Sequence, residues 1–116
     1  ISGYPNEFKQ AILSIINNAR DSILKKREEE YFQGKITIDT FYENDHIHIS
    51  IKDNGTGIKK ENLEKIFEPF FTDKINGDGF GLYMVKLIIE DKMDGNIKAV
   101  EQENGANILI ALSKNV

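Results

Sequence analysis

The chain has 116 residues, is 40% hydrophobic and carries a formal net charge of -4, nine glycines and no cysteine. That length suits one domain with a real core, and the composition excludes disordered, collagen-like and low-complexity chains. Disulfides and thiolate metal sites are excluded, no apolar run reaches the ~18 residues of a membrane span, no signal-peptide pattern opens the chain, and a mildly acidic balance is a poor match for nucleic acid or anionic membranes.

Phe8, Ala11, Ile12, Ile15, Ile16, Ala19 and Ile23 follow helical spacing and form one apolar stripe. Pro5 and Glu7 suit the first turn, so the spacing predicts a helix over about residues 6–31, with Gly34 as its stop. Ile36 and Ile38, and then Ile47, Ile49 and Ile51, alternate with polar residues on either side of Glu43-Asn44-Asp45. Such alternation predicts a half-buried antiparallel hairpin. Asp53 shares the parity of the three isoleucines, so a continuing strand turns its carboxylate inward, where it needs a partner. His46 and His48 have the opposite parity and read as surface residues.

Asn54-Gly55-Thr56-Gly57 is a loop, and a short helix is expected over about residues 60–66. Pro69 disfavours helix at Glu68, and residues 73–79 are polar, glycine-bearing and expected to be mobile. A second glycine loop, Gly77-Asp78-Gly79-Phe80-Gly81, opens a deeply packed helix over about residues 80–92, which Gly95 ends. Two strands, about residues 96–102 and 107–112, flank a turn at Glu103-Asn104-Gly105. The order is helix, two strands, helix, two strands, an α+β class.

A glycine loop feeding a helix start offers backbone N–H groups and a favourable dipole to phosphate. Glycines there also serve tight turns or close packing. The context is wrong for a dinucleotide-binding βαβ unit, and no glycine is followed by the lysine and hydroxyl residue of a P-loop. On the first helix Ser14, Asn18 and Asp21 form a narrow polar stripe beside the apolar face. Asn18 is either a boundary residue with an ordinary hydrogen bond or an amide oxygen for a hard cation such as Mg²⁺, which takes few protein ligands. The charged run from Lys25 to Glu30 reads as a solvated helix end, with a partner-docking role as the alternative.

Four segments carry a family resemblance. Phe8-Lys9-Gln10-Ala11-Ile12-Leu13-Ser14-Ile15-Ile16-Asn17-Asn18-Ala19 resembles an N box, and Asp53-Asn54-Gly55-Thr56-Gly57-Ile58 a first glycine box. Ile66-Phe67-Glu68-Pro69-Phe70-Phe71-Thr72 resembles a phenylalanine box, and Gly77-Asp78-Gly79-Phe80-Gly81-Leu82 a second glycine box. In this order and spacing the chain resembles the catalytic ATP-binding (HATPase_c) domain of two-component sensor histidine kinases. The wider superfamily includes DNA gyrase, a heat-shock chaperone and mismatch-repair ATPases. The resemblance implies a two-layer α/β sandwich of the Bergerat (GHKL) type, with helices on one face of a mixed, mainly antiparallel sheet.

It also implies roles. Asn18 would coordinate Mg²⁺ bridging the phosphates of ATP, with Asp21 nearby. Asp53 would accept the adenine amine, Gly55 and Gly57 would let the backbone approach the base, and Ile58 would pack near it. Gly77, Gly79 and Gly81 would hold the phosphates and hinge a lid, with Phe80 beside them and Leu82 starting the helix. Lys74 would reach the phosphates from the lid or stay a solvated lysine. Phe67, Phe70 and Phe71 would be mostly core, with one of the last two anchoring the lid.

The sequence also departs from the pattern. Ser14 stands where the superfamily's ATPases carry a water-activating glutamate, which favours phosphotransfer over hydrolysis. Asp78 places a carboxylate near the phosphates, Gly105-Ala106-Asn107 matches the final box only loosely, and Ser113 replaces a common proline. The resemblance implies a cytoplasmic fragment, residues 1–116, of a longer protein, one form of which is an inner-membrane sensor. An N-terminal strand and the dimerisation domain with the phosphoacceptor histidine would lie outside it. The γ-phosphate would pass to that histidine and then to a response regulator receiver domain, with no nucleic acid involved. The fragment would be monomeric and the parent a homodimer. A superfamily ATPase, a degenerate nucleotide-binding regulatory module and a serine-directed kinase are the alternatives.

Overall fold

The computed structural model describes residues 5–69, 71 and 81–113. Helix α1 spans Pro5–Arg27 and buries Ala11, Ile15, Ala19 and Ile23, the stripe expected from their spacing. It stops four residues before the expected end. Lys25, Lys26 and Arg27 occupy its last turn, where cations suit the dipole, and Glu28, Glu29 and Glu30 follow as exposed turn residues. The switch from basic to acidic residues marks the boundary.

Strands β1 (Ile36–Glu43) and β2 (His46–Asp53) pair antiparallel, from Glu43 opposite His46 to Ile36 opposite Asp53. Asn44 and Asp45 join them with φ of 54° and 61°, the two left-handed residues that a tight hairpin of matching twist requires. The short helix expected over residues 60–66 is instead two 3₁₀ turns, Lys60–Asn62 and Lys65–Phe67.

Helix α2 covers Gly81–Lys86 and continues as a π-helical segment, Leu87–Lys92. Apolar periodicity foresees one helix and carries no sign of the wider winding. The helix ends at Asp94, with φ of 54°, and the Gly95 N–H donates to the Ile89 carbonyl at 2.8 Å. The left-handed residue is therefore Asp94, and Gly95 supplies the capping N–H one position later.

Strands β3 (Asn96–Val100) and β4 (Ala106–Ser113) complete a four-stranded sheet in the order β1-β2-β4-β3, antiparallel in every described pairing. The helices cover the face made by Ile49, Ile51, Ile97, Ala99, Ile108, Ile110 and Leu112, giving the two-layer α+β sandwich. Ile15, Ile51, Val85, Ile89, Met93, Ile110 and Leu112 are fully buried in that layer. Each is worth about 1.5–3 kcal/mol relative to exposure. On the opposite face Ser50 Oγ donates to Asn107 Oδ1 at 2.9 Å, and His48 stacks on Phe41 with ring centroids 4.8 Å apart. His46 is exposed, while His48 is half-covered by that stack. No helix among the described residues is long and apolar enough to cross a membrane.

Candidate functional site

Asp53 ends β2 on the isoleucine face, opposite Ile36 of β1 and Ala106 of β4, and is 8% exposed. Its Oδ1 accepts the Gly55 N–H at 2.8 Å. Burial pushes its carboxyl above the ordinary 3.8, outweighing the Gly55 and Ala106 N–H groups and the Lys26 charge that pull it down. The result is a buried acceptor held at a strand end, suited to a ligand that brings N–H donors.

The loop after Asp53 is pinned from three sides. The Thr56 N–H donates to Ser22 Oγ of α1 at 2.8 Å, and the two hydroxyl oxygens lie 3.0 Å apart. Asn54 Nδ2 donates to the Gln33 carbonyl at 2.9 Å, and the Lys35 N–H donates to Asn54 Oδ1 at 2.8 Å. Lys26 Nζ reaches the Asn54 carbonyl at 3.4 Å. Gly55 lies against α1 so closely that a Cβ would come within 2.6 Å of the Ser22 carbonyl carbon and 2.8 Å of the Ile23 nitrogen. Gly57 faces the Gly105 carbonyl from the other side. The close approaches made by the first glycine box are thus to the protein's own backbone.

Asn18 is half-buried on α1, one turn before Ser22 and on the same face of the helix. Ser14 and Asp21 are likewise half-buried, and Asp21 Oδ1 lies 3.6 Å from Arg20 Nη2. Ile58 and Leu82 pack against the core, and α2, opened by Gly81, packs on α1. Space is open where a Gly81 Cβ would stand. Phe67 is buried and Phe71 packs against the core. Phe70, Asp78, Lys74, Gly77, Gly79 and Phe80 lie outside the described residues, as does the expected lid over residues 73–79. Among the described residues no cluster of three His, Cys, Asp or Glu side chains could hold a metal.

Ser22 and Gln102 join the site without having been singled out in the sequence, and Lys26, expected to belong to a solvated helix end, is instead half-buried and bonded to the loop. Ser22 continues the Ser14–Asn18 series at the next i+4 step, a signal that was there to read. Gln102 has no such signal, because only the β3–β4 turn brings its Nε2 to within 3.2 Å of the Asp53 carbonyl. A concavity of about 390 Å³ opens beside it, lined by Ile58, Glu101, Gln102 and Glu103. A larger one, about 500 Å³, lies at the C-terminal end of α1 beside Arg20, Arg27 and Lys35 and includes none of the expected site residues.

Residues 3–115 match the family described as histidine kinase-, DNA gyrase B-, and HSP90-like ATPase. Sporulation kinase C of Bacillus subtilis (strain 168) is 35% identical over 105 residues, which are 90% of this chain and 22% of that kinase. The catalytic domain of histidine kinase ThkA superposes with a TM-score of 0.78 at 32% identity, over 93% of this chain and 66% of that one. Full-length ShkA, solved in complex with AMPPNP, shares the fold at 20% identity with a TM-score of 0.74, over 91% of this chain and 21% of that one. The chain therefore spans about a fifth of the length of the curated kinase. With its fold, its buried carboxylate beside a glycine loop, and a match over nearly its whole length, the chain belongs to the histidine kinase-, DNA gyrase B- and HSP90-like ATPase family.

Proposed function

We propose that this chain is the ATP-binding catalytic domain of a sensor histidine kinase, and that residues 1–116 act as one domain that binds Mg-ATP and presents the γ-phosphate to a histidine on another domain. The observation that carries this reading is Asp53, a nearly buried carboxylate between a glycine loop and the β4 start. It accepts the adenine amine, and Ile58 packs at the base. Asn18 would offer its amide oxygen to Mg²⁺, with Asp21 nearby; bound there, the ion would offset phosphate charge, and a hard cation of this kind needs few protein ligands. Gly81 and Leu82 open α2 beside the phosphates, with Lys74, Gly77, Gly79 and Phe80 in the preceding segment.

The domain positions nucleotide and offsets charge, while the nucleophile comes from elsewhere. Ser14 has no carboxylate with which to activate water, which favours transfer over hydrolysis. The acceptor histidine sits on a dimerisation domain of the same protein, and a response regulator receives the phosphoryl group in the cytoplasm.

Calorimetric titration with a non-hydrolysable ATP analogue, with and without Mg²⁺, tests the reading on wild type and Asp53→Ala. Saturable, Mg²⁺-sensitive binding that the substitution removes is expected. A folded wild-type chain that binds no nucleotide overturns it.

A further inference from the structure

Asn18, Ser22 and Lys26 follow one line on α1, each four residues after the last. The second and third reach the loop after β2. Ser22 Oγ accepts the Thr56 N–H at 2.8 Å, whereas Lys26 Nζ stands 3.4 Å from the Asn54 carbonyl, a longer and weaker bond. One residue before Thr56, the Gly55 N–H donates to Asp53 Oδ1 at 2.8 Å. Two consecutive N–H groups are therefore held by different elements, the first by the end of β2 and the second by α1. Gly55 between them is buried and has no Cβ to restrict its dihedrals, so the bonds on either side of it set how the two peptide planes lie.

We infer that Ser22 is a positioning residue for the base, acting through Asp53; the inference rests on the nucleotide reading proposed above. Its hydroxyl holds the Gly55–Thr56 peptide on α1. That keeps the Gly55 N–H aimed at the Asp53 carboxylate, and the carboxylate in one orientation for the adenine amine. An acceptor already held in place costs less to order when the ligand arrives. The fold does not depend on this bond. Thr56 is exposed, so water can pair with its N–H when the hydroxyl is gone, and alanine favours a helix better than serine does. Water satisfies that N–H without fixing its direction. Asn18 lies one turn earlier on the same helix face, so one rigid element carries both the clasp on the base acceptor and the proposed cation ligand.

The test titrates the 116-residue chain with Mg²⁺ and a non-hydrolysable ATP analogue, as wild type, Ser22→Ala, Asp53→Asn and the double variant. Urea unfolding establishes that each is folded. Ser22→Ala is expected to weaken binding about three- to ten-fold, the value of one neutral hydrogen bond, with its urea midpoint near that of wild type. In the Asp53→Asn background the same substitution is expected to weaken binding less than about two-fold, because the charged acceptor that Ser22 positions is already lost. A purely structural bond would cost the same in both backgrounds. Unchanged affinity in Ser22→Ala, or an equal loss with and without the Asp53 carboxylate, overturns the inference and leaves the nucleotide site standing. A folded wild-type chain that binds no analogue overturns the nucleotide reading, and this one with it.

Discussion

Gly105 is pressed so close to Asp53 that a Cβ on the glycine would fall onto the Asp53 carbonyl oxygen. Gly105 has φ of 141° and follows Asn104, itself left-handed at 60°. The β3–β4 turn therefore closes directly over the strand end that carries the buried carboxylate. Gly105→Ala meets both a forbidden backbone angle and a fixed backbone atom, so it is expected to destabilise the fold by about 3 kcal/mol, the upper range for overpacking. Urea unfolding measures this. A loss below about 0.5 kcal/mol would mean that the turn moves away freely.

Asp53→Asn separates stability from binding. The amide oxygen still accepts the Gly55 N–H, while the burial penalty on a charge disappears. The ligand-free variant is expected to unfold at equal or higher urea concentration than wild type near neutral pH. ATP affinity is expected to fall at least about ten-fold, since a hydrogen bond to a charged acceptor is worth about 1.5–3 kcal/mol. A variant that binds ATP like wild type would remove Asp53 from the base site.

The same carboxyl sets a pH dependence opposite to that of a salt-bridged aspartate. Its folded value is raised above 3.8, so between 3.8 and that value the folded protein holds the proton more tightly than the unfolded chain. Stability from this group is therefore greatest below 3.8 and is lost as pH rises through the folded value. The stability of Asp53→Asn relative to wild type should grow across that window and level off above it. Paired urea curves from about pH 3 to about pH 7 follow it, and a gap that shrinks with rising pH contradicts the argument.

Asn18→Ala tests the metal assignment. The side chain is only half-buried, so its removal should leave the fold intact. ATP binding in the variant is expected to lose most of its response to Mg²⁺ while binding without metal stays near the wild-type value. Full retention of the Mg²⁺ response by a folded variant would assign the cation to other ligands.

The hairpin and the inward turn of Asp53 were legible because period-two alternation fixes the face of every residue in β2, and Asp53 keeps the count. The helix stripe was legible for the same reason at period 3.6. The end of α1 was misplaced because apolar spacing says nothing about the dipole, whereas the passage from Arg27 to Glu28 does. The π-helical winding of Leu87–Lys92 was invisible because apolar residues such as Ile88 and Ile89 at helical spacing suit an α-helix equally well. Gly105 looked like a weak match while it was read as a motif letter. Its importance rests on a contact with Asp53, 52 positions earlier in the chain, which no local pattern carries.

The isoleucine ladder of β2 has one more consequence. Asp53 is held in place by the same alternation that builds the core, so the fold cannot be lost while the site is kept. The reverse is easy: exchanging the carboxylate for its amide keeps the bond to the Gly55 N–H, replaces the second acceptor oxygen by a donor and relieves the interior of a charge. Selection for sturdiness alone would drift toward a silent scaffold. If Asp53 serves the base as proposed above, it is selection for nucleotide binding, and not for stability, that keeps aspartate at this position.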